Sequence, residues 1–100
     1  SGYQACVLME LMTEVHTIEY NKSLYERTSR FIPYALGYQP YFYHGDGTLG
    51  IPSQAPFDKI IVTAGGPNIP NSLLRQLKIG GKMVIPVGNH QKQKMIRITR

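Results

Sequence analysis

The chain is predicted to adopt an α/β fold, a doubly wound and mostly parallel sheet, and three observations carry that reading. Phe57-Asp58-Lys59-Ile60-Ile61-Val62-Thr63-Ala64 and Leu77 to Gly88 are apolar runs that end in small or turn-forming residues. Between them Pro67 and Pro70 fence a loop and Asn71-Ser72 open a short apolar-periodic helix, the order of one βα unit of a parallel sheet. Upstream, the strand-like runs close on an acid or on glycines, as at the ligand crevice along the carboxyl edge of such a sheet.

Tyr3 to Met12 is expected to be helical, since Ala5, Val7, Leu8, Leu11 and Met12 recur at helical spacing without Gly or Pro. Val15 to Glu19 is a short, β-branched strand ending on an acid. Asn21 is placed to cap a second helix through Leu24, Tyr25 and Thr28 toward Phe31. Pro33 ends or kinks that helix near Ile32, because an interior proline costs about 3 kcal/mol, and Leu36-Gly37 reads as terminator and turn. Tyr41-Phe42-Tyr43-His44 is an aromatic strand closed by Gly45-Asp46-Gly47, and a loop from Thr48 to Pro56 leads to the strand of Phe57. Asp58 has a structural role at that strand's start. Gly80-Gly81 is expected to turn the chain into the last strong strand. After a polar connection, Met95-Ile96-Arg97-Ile98 alternates as an edge strand does.

At 100 residues this is one small domain at most. The 42% hydrophobic share can supply a core, but domains of this kind hold only about 5–15 kcal/mol of stability. The formal net charge is +5. Its basic residues are scattered, so a solvated surface explains it better than a polyanion site, although several fall between Lys82 and Arg100. The single cysteine, Cys6, forms no internal disulfide, which fits a reducing, cytoplasmic setting. It reads as a small core residue rather than a nucleophile. No apolar run is long enough to span a membrane, and no signal peptide is visible.

The chemistry-bearing candidates lie at strand ends. Glu19 can accept two ribose hydroxyls at once, against the blander reading of a solvated acid. In Gly45-Asp46-Gly47 the glycines let the backbone curl around a planar ring and Asp46 can accept from an exocyclic amine, although the triplet alone also makes a tight turn. Thr63 is either a ligand neighbour or a plain β-branched strand residue. Ser1-Gly2 is either an ordinary helix cap or the tail of a glycine-rich turn. His16, His44 and His90 share no ligand spacing, and no metal site is expected. No Ser/His/Asp or Cys/His set can be assembled from these strand ends.

Taken together, Ser1-Gly2-Tyr3-Gln4, Gly45-Asp46-Gly47 followed by Leu49-Gly50, the Phe57–Ala64 strand with Ile69-Pro70, and Leu77 to Gly88 resemble the protein-L-isoaspartate O-methyltransferase family. Its members have the Rossmann-like class I methyltransferase fold and use S-adenosylmethionine. The resemblance runs from Ser1 to Gly88 and fades beyond. It implies that Ser1 and Gly2 approach the methionine part of the cofactor, that Glu19 meets the ribose, and that Gly45, Asp46 and Gly47 surround the adenine. Thr63, Ala64, Pro67, Ile69 and Pro70 would border the reacting methyl group and the substrate. Departures are Gly65-Gly66, where the family is usually alanine-rich, Ile79 in place of the usual proline, and Pro33 with the aromatic-rich Tyr34–Tyr43 segment. None alters a ligand position.

The expected function is methyl transfer from S-adenosylmethionine to the carboxylate of L-isoaspartyl residues in damaged proteins, with such proteins or peptides as partners and neither nucleic acid nor membrane. An RNA or small-molecule methyltransferase of the same class is the alternative. Against RNA, Thr63-Ala64-Gly65-Gly66 stands where those enzymes often carry an Asn/Asp-Pro-Pro-aromatic tetrad. On the resemblance, residues 1–100 form a partial cofactor-binding domain. On the same resemblance the family's substrate-loop serine and first strand would precede Ser1, the strand lying between those ending at Glu19 and starting at Phe57, and a C-terminal part of the substrate cleft would be missing too, so no catalytic residue can be named. The expectation is that the 100-residue chain by itself is inactive. It should also self-associate, or close the gap by pairing those two strands directly.

Overall fold

The computed structural model describes residues 14–27, 41–89 and 91–100. The expected Tyr3–Met12 helix with Cys6, the Pro33 kink, the Leu36-Gly37 turn, Ser1, Gly2 and His90 lie outside the described residues. The chain divides into two compact units, Ser1–Gly47 and Thr48–Arg100.

In the first unit, β1 (His16–Glu19) pairs in parallel with β2 (Tyr41–His44), from His16 opposite Tyr41 to Glu19 opposite His44. Val15, just before β1, is buried. Residues 22–27 are helical and form α1. Asn21 caps it as expected, its Oδ1 accepting from the Leu24 N–H at 3.0 Å while its carbonyl accepts from Tyr25 at 2.9 Å. His16 is a satisfied structural histidine. Its ring stacks on Tyr41 at 4.7 Å. In the neutral tautomer that suits both partners, Nε2–H donates to the Glu14 carboxylate at 2.9 Å and Nδ1 accepts from the Tyr43 hydroxyl at 3.0 Å.

In the second unit, two 3₁₀ turns, Gly47–Leu49 at the border and Pro52–Gln54, lead to β3 (Phe57–Ile61). There follow α2 (Asn71–Gln76), β4 (Leu77–Gly88) and β5 (Gln93–Thr99). The sheet order is β3-β4-β5, parallel between the first pair and antiparallel between the second. β5 alternates exposed and half-buried positions, with Ile96 and Ile98 the half-buried ones, as its sequence pattern implied. The core gathers Leu73, Leu77, Met83 and Ile85, with Ile60, Val62, Ile69, Leu74, Val87 and Ile98 packed around them. Fully burying one such side chain stabilises by about 1.5–3 kcal/mol.

Three expectations are corrected. The Phe57 strand stops at Ile61, three residues before Ala64, although the Val62 N–H still reaches the Val84 carbonyl at 2.9 Å. Gly80-Gly81 does not turn the chain from one element into another: β4 runs through it as a bulge. From Phe57 to Lys59 on β3, the partner positions on β4 jump from Leu77 to Lys82. The ladder survives because the Gly80 N–H donates to the Arg100 carbonyl at 2.7 Å and the Arg100 N–H donates to Gly81 at 3.0 Å. Finally, of the two alternatives expected for the chain, self-association or direct pairing of the strands of Glu19 and Phe57, the second is not the pairing seen among the described residues. β1 and β3 belong to different sheets, each paired with the strand that follows it in the chain. Asp58 makes an exposed ion pair with Lys78 at 3.4 Å, which contributes little.

The end of α2 is held from outside the helix. The Arg100 guanidinium donates through Nη1 to the carbonyls of Arg75 at 3.0 Å and Leu77 at 2.6 Å, satisfying acceptors that a helix end leaves unpaired.

Candidate cofactor and substrate site

Parallel pairing of β1 with β2 places both carboxyl ends on one edge of the first unit's sheet. Glu19 is the last residue of β1, and its partner His44 is the last of β2, so the glycine triplet begins beside Glu19. The contact is direct, since the Gly45 N–H donates to the Glu19 carbonyl at 3.1 Å. The Glu19 carboxylate accepts from the Asn21 N–H at 3.2 Å through Oε1. This bond occupies one acceptor position, and a carboxylate retains further acceptor capacity for a pair of hydroxyls. A Cβ added at Gly45 or Gly47 would meet nothing within 4 Å, so both glycines border open space. Asp46 between them is exposed. The end of β2 is braced by His44, whose Nε2–H donates to the Tyr20 carbonyl at 3.1 Å and whose ring meets that of Tyr25 at 5.6 Å. A strand-end carboxylate, a glycine-flanked acid and open space suit a nucleoside: a diol for Glu19, a flat ring over the glycines and a ring amine for Asp46.

In the second unit the segment from Thr63 to Pro70 leaves the carboxyl end of β3. Thr63, Ala64 and Pro67 are exposed, while Ile69 is half-buried against the core. The segment is tied to β4 where Gly66 bridges Val87, its carbonyl accepting from the Gly88 N–H at 3.0 Å. Pro70 starts α2, accepting from Leu73 at 3.1 Å and Leu74 at 3.3 Å. The structure thus brings Glu19, Gly45, Asp46 and Gly47 together in the first unit, and Thr63, Ala64, Pro67, Ile69 and Pro70 along one loop in the second. Ser1 and Gly2 are outside the described residues.

The close approach at Gly65 is a feature that sequence reading did not assign. A Cβ there would collide with the Pro86 backbone carbonyl. Gly65→Ala is therefore expected to push the Thr63–Pro70 loop off β4 and to destabilise by about 1–3 kcal/mol, the usual cost of overpacking. Thermal melting of the variant tests this, and an unchanged midpoint would show that the loop gives way without cost. Another unassigned residue is Gln76, whose side chain is buried and hydrogen-bonded to the chain just beyond the glycine triplet. Its only sequence signal was a polar residue at the end of an apolar-periodic helix, which does not separate a solvated glutamine from a buried one. Among the described residues no group of three or more His, Cys, Asp or Glu is arranged to hold a metal ion. No helix among them is long and apolar enough to cross a membrane.

Comparison with known proteins gives one consistent result. The family model described as protein-L-isoaspartate(D-aspartate) O-methyltransferase matches residues 1–100. The chain is 49% identical over 100 residues to a protein-L-isoaspartate O-methyltransferase of Cytophaga hutchinsonii, covering all of this chain and 45% of that protein. It is 55% identical over 89 residues to one of Christiangramia forsetii, covering 88% of this chain and 41% of the relative. The chain thus spans about half the length of the curated relatives it matches. Among solved structures, a protein-L-isoaspartate O-methyltransferase superposes with a TM-score of 0.76 at 31% identity, over 84% of this chain and 27% of that one. A β-aspartate methyltransferase from Plasmodium falciparum, solved in complex with S-adenosyl-L-homocysteine, superposes with a TM-score of 0.67 over 87% of this chain and 44% of its own. At 24% identity the second likeness speaks to the fold alone.

Proposed function

The chain belongs to the protein-L-isoaspartate(D-aspartate) O-methyltransferase family, and on that premise we propose that the protein carrying it methylates the free carboxylate of L-isoaspartyl residues in damaged proteins, with S-adenosylmethionine as donor. The observation that carries this reading is the joint edge of β1 and β2, where Glu19 and Gly45-Asp46-Gly47 meet through the Gly45–Glu19 hydrogen bond. On this reading Glu19 accepts the ribose hydroxyls, Asp46 accepts from the adenine amine, and Gly45 and Gly47 leave room for the ring. Ser1 and Gly2 approach the methionine part, and Thr63, Ala64, Pro67, Ile69 and Pro70 border the substrate. The cofactor supplies an electrophilic methyl group on a sulfonium.

The chain's residues need supply neither an acid nor a base. An isoaspartyl carboxylate is already ionised and nucleophilic at neutral pH, so the protein's part is alignment and exclusion of water. Orientation alone can contribute about 7–11 kcal/mol. Anion and cation neutralise each other as the bond forms, which favours a dry site. The loop is bridged to β4 at Gly66 and packs Ile69 against the core, which places its base beside β4. The single cysteine accords with work in the reducing cytoplasm.

The test is a methyl-transfer assay on the full protein with labelled S-adenosylmethionine and three acceptors: an L-isoaspartyl peptide, its normal aspartyl counterpart, and RNA. Label is expected in the isoaspartyl peptide and nearly absent from the other two. Preferential labelling of RNA would overturn the reading.

A further inference from the structure

The Glu19 carboxylate is held by a peptide group that another residue holds from behind. The Asn21 N–H donates to Glu19 Oε1 at 3.2 Å. The carbonyl of that same peptide unit belongs to Tyr20, and it accepts from His44 Nε2–H at 3.1 Å. The Tyr20–Asn21 bond is trans, so its N–H and C=O point in opposite directions within one rigid plane. The His44 imidazole, the peptide and the Glu19 carboxylate thus form one hydrogen-bonded relay. Turning the plane at its carbonyl end carries the N–H away from Glu19. Hydrogen bonds in series also polarise one another, so a peptide whose carbonyl accepts is a better donor at its N–H.

His44 is itself held in place. It ends β2 directly opposite Glu19, the end of β1. The Tyr25 ring lies beside its imidazole, with centroids 5.6 Å apart, and the Tyr25 N–H donates to the Asn21 carbonyl at 2.9 Å. The turn from β1 into α1 has little packing of its own, since Tyr20 is 79% exposed and Asn21 is exposed too. An exposed turn has conformations to lose when a ligand binds, and a bond that removes them beforehand raises affinity. Every group in the relay lies in the first unit, on the joint edge of β1 and β2.

We propose that His44 is a positioning residue for the cofactor: through the Tyr20–Asn21 peptide it holds the Glu19 carboxylate in the conformation that meets the ribose diol. This rests on the proposed function above. His44 touches no reacting atom, so it acts on cofactor affinity and not on the methyl-transfer step. His44→Leu removes the donor and keeps an apolar side chain beside Tyr25. His44→Gln keeps an N–H donor at similar reach.

The experiment uses the full protein and calorimetry with S-adenosylhomocysteine. His44→Leu is expected to bind about three- to tenfold more weakly, the worth of one hydrogen bond, and His44→Gln within about twofold of wild type. The cofactor KM should follow the affinity, with kcat at saturating cofactor within about twofold. In a Glu19→Ala background His44→Leu should cost nothing further, because the carboxylate on which the relay ends is gone. A merely structural brace would cost the same in both backgrounds. That result, or a folded His44→Leu variant that binds as tightly as wild type, would overturn the proposal. If His44→Leu does not fold, the wild type decides. In alkaline buffer, nitrogen NMR should show the neutral His44 imidazole protonated at Nε2, and a proton on Nδ1 instead would show that there is no relay. A wild type that binds no S-adenosylhomocysteine would overturn the proposed function and this inference together, whereas binding that ignores His44 overturns the inference alone.

Discussion

Replacing Glu19 by alanine is expected to weaken binding of S-adenosylhomocysteine to the full protein by about ten- to hundredfold. The physical basis is the loss of charge-assisted hydrogen bonds to a ribose diol, worth about 1.5–3 kcal/mol. The fold should tolerate the change. The Glu19 carboxylate contributes one hydrogen bond, to the Asn21 N–H, and the Gly45 bond goes to its backbone carbonyl, which alanine keeps. Asp46→Ala should also weaken binding, through the adenine. Because Asp46 is exposed, that loss should lie toward the lower end of the range. Calorimetry on the two variants, with melting curves to confirm folding, checks the assignment. Unchanged affinity in both would mean that the joint edge of β1 and β2 is not the nucleoside site.

Leu77→Ala is expected to destabilise the protein by about 2–5 kcal/mol, the range for truncating a buried leucine and leaving a cavity. Leu77 has no exposed surface, joins α2 to β4 without a connecting loop, and packs in the cluster of Leu73, Met83 and Ile85. Against a typical total of about 5–15 kcal/mol, this single change removes a large share. Chemical denaturation should show a lower midpoint with little change in slope. By contrast Ile79→Ala, two residues on, should change stability by less than about 0.5 kcal/mol, because Ile79 is 85% exposed at the bulge. Equal effects at the two positions would mean that the core does not centre where α2 meets β4.

The sequence by itself determined a good deal. The aromatic run Tyr41–His44, the β-branched run ending at Glu19, the Asn21 cap and the edge character of the last strand all follow from local patterns of side chains. Local patterns were enough there because period, cap chemistry and turn residues act within a few positions of the chain. The placing of Glu19 near the glycine triplet was legible for a different reason: parallel strands bring their carboxyl ends to one edge. Other features depended on groups far apart in sequence. Gly80-Gly81 looked like a turn because glycine pairs usually punctuate. It became a bulge because Arg100, some twenty residues away, supplies the bonds that keep β4 continuous. Gly65 looked like a neutral departure from an alanine-rich stretch, but the Pro86 carbonyl lies where a methyl group would go. Gln76 looked like a polar helix end and is a buried clamp because the chain from Leu49 to Ile51 folds over it. In each case the deciding partner is a backbone group. Backbone groups are the same at every position, so their pairing leaves no mark in the sequence and is settled only when the tertiary structure brings them within hydrogen-bond reach.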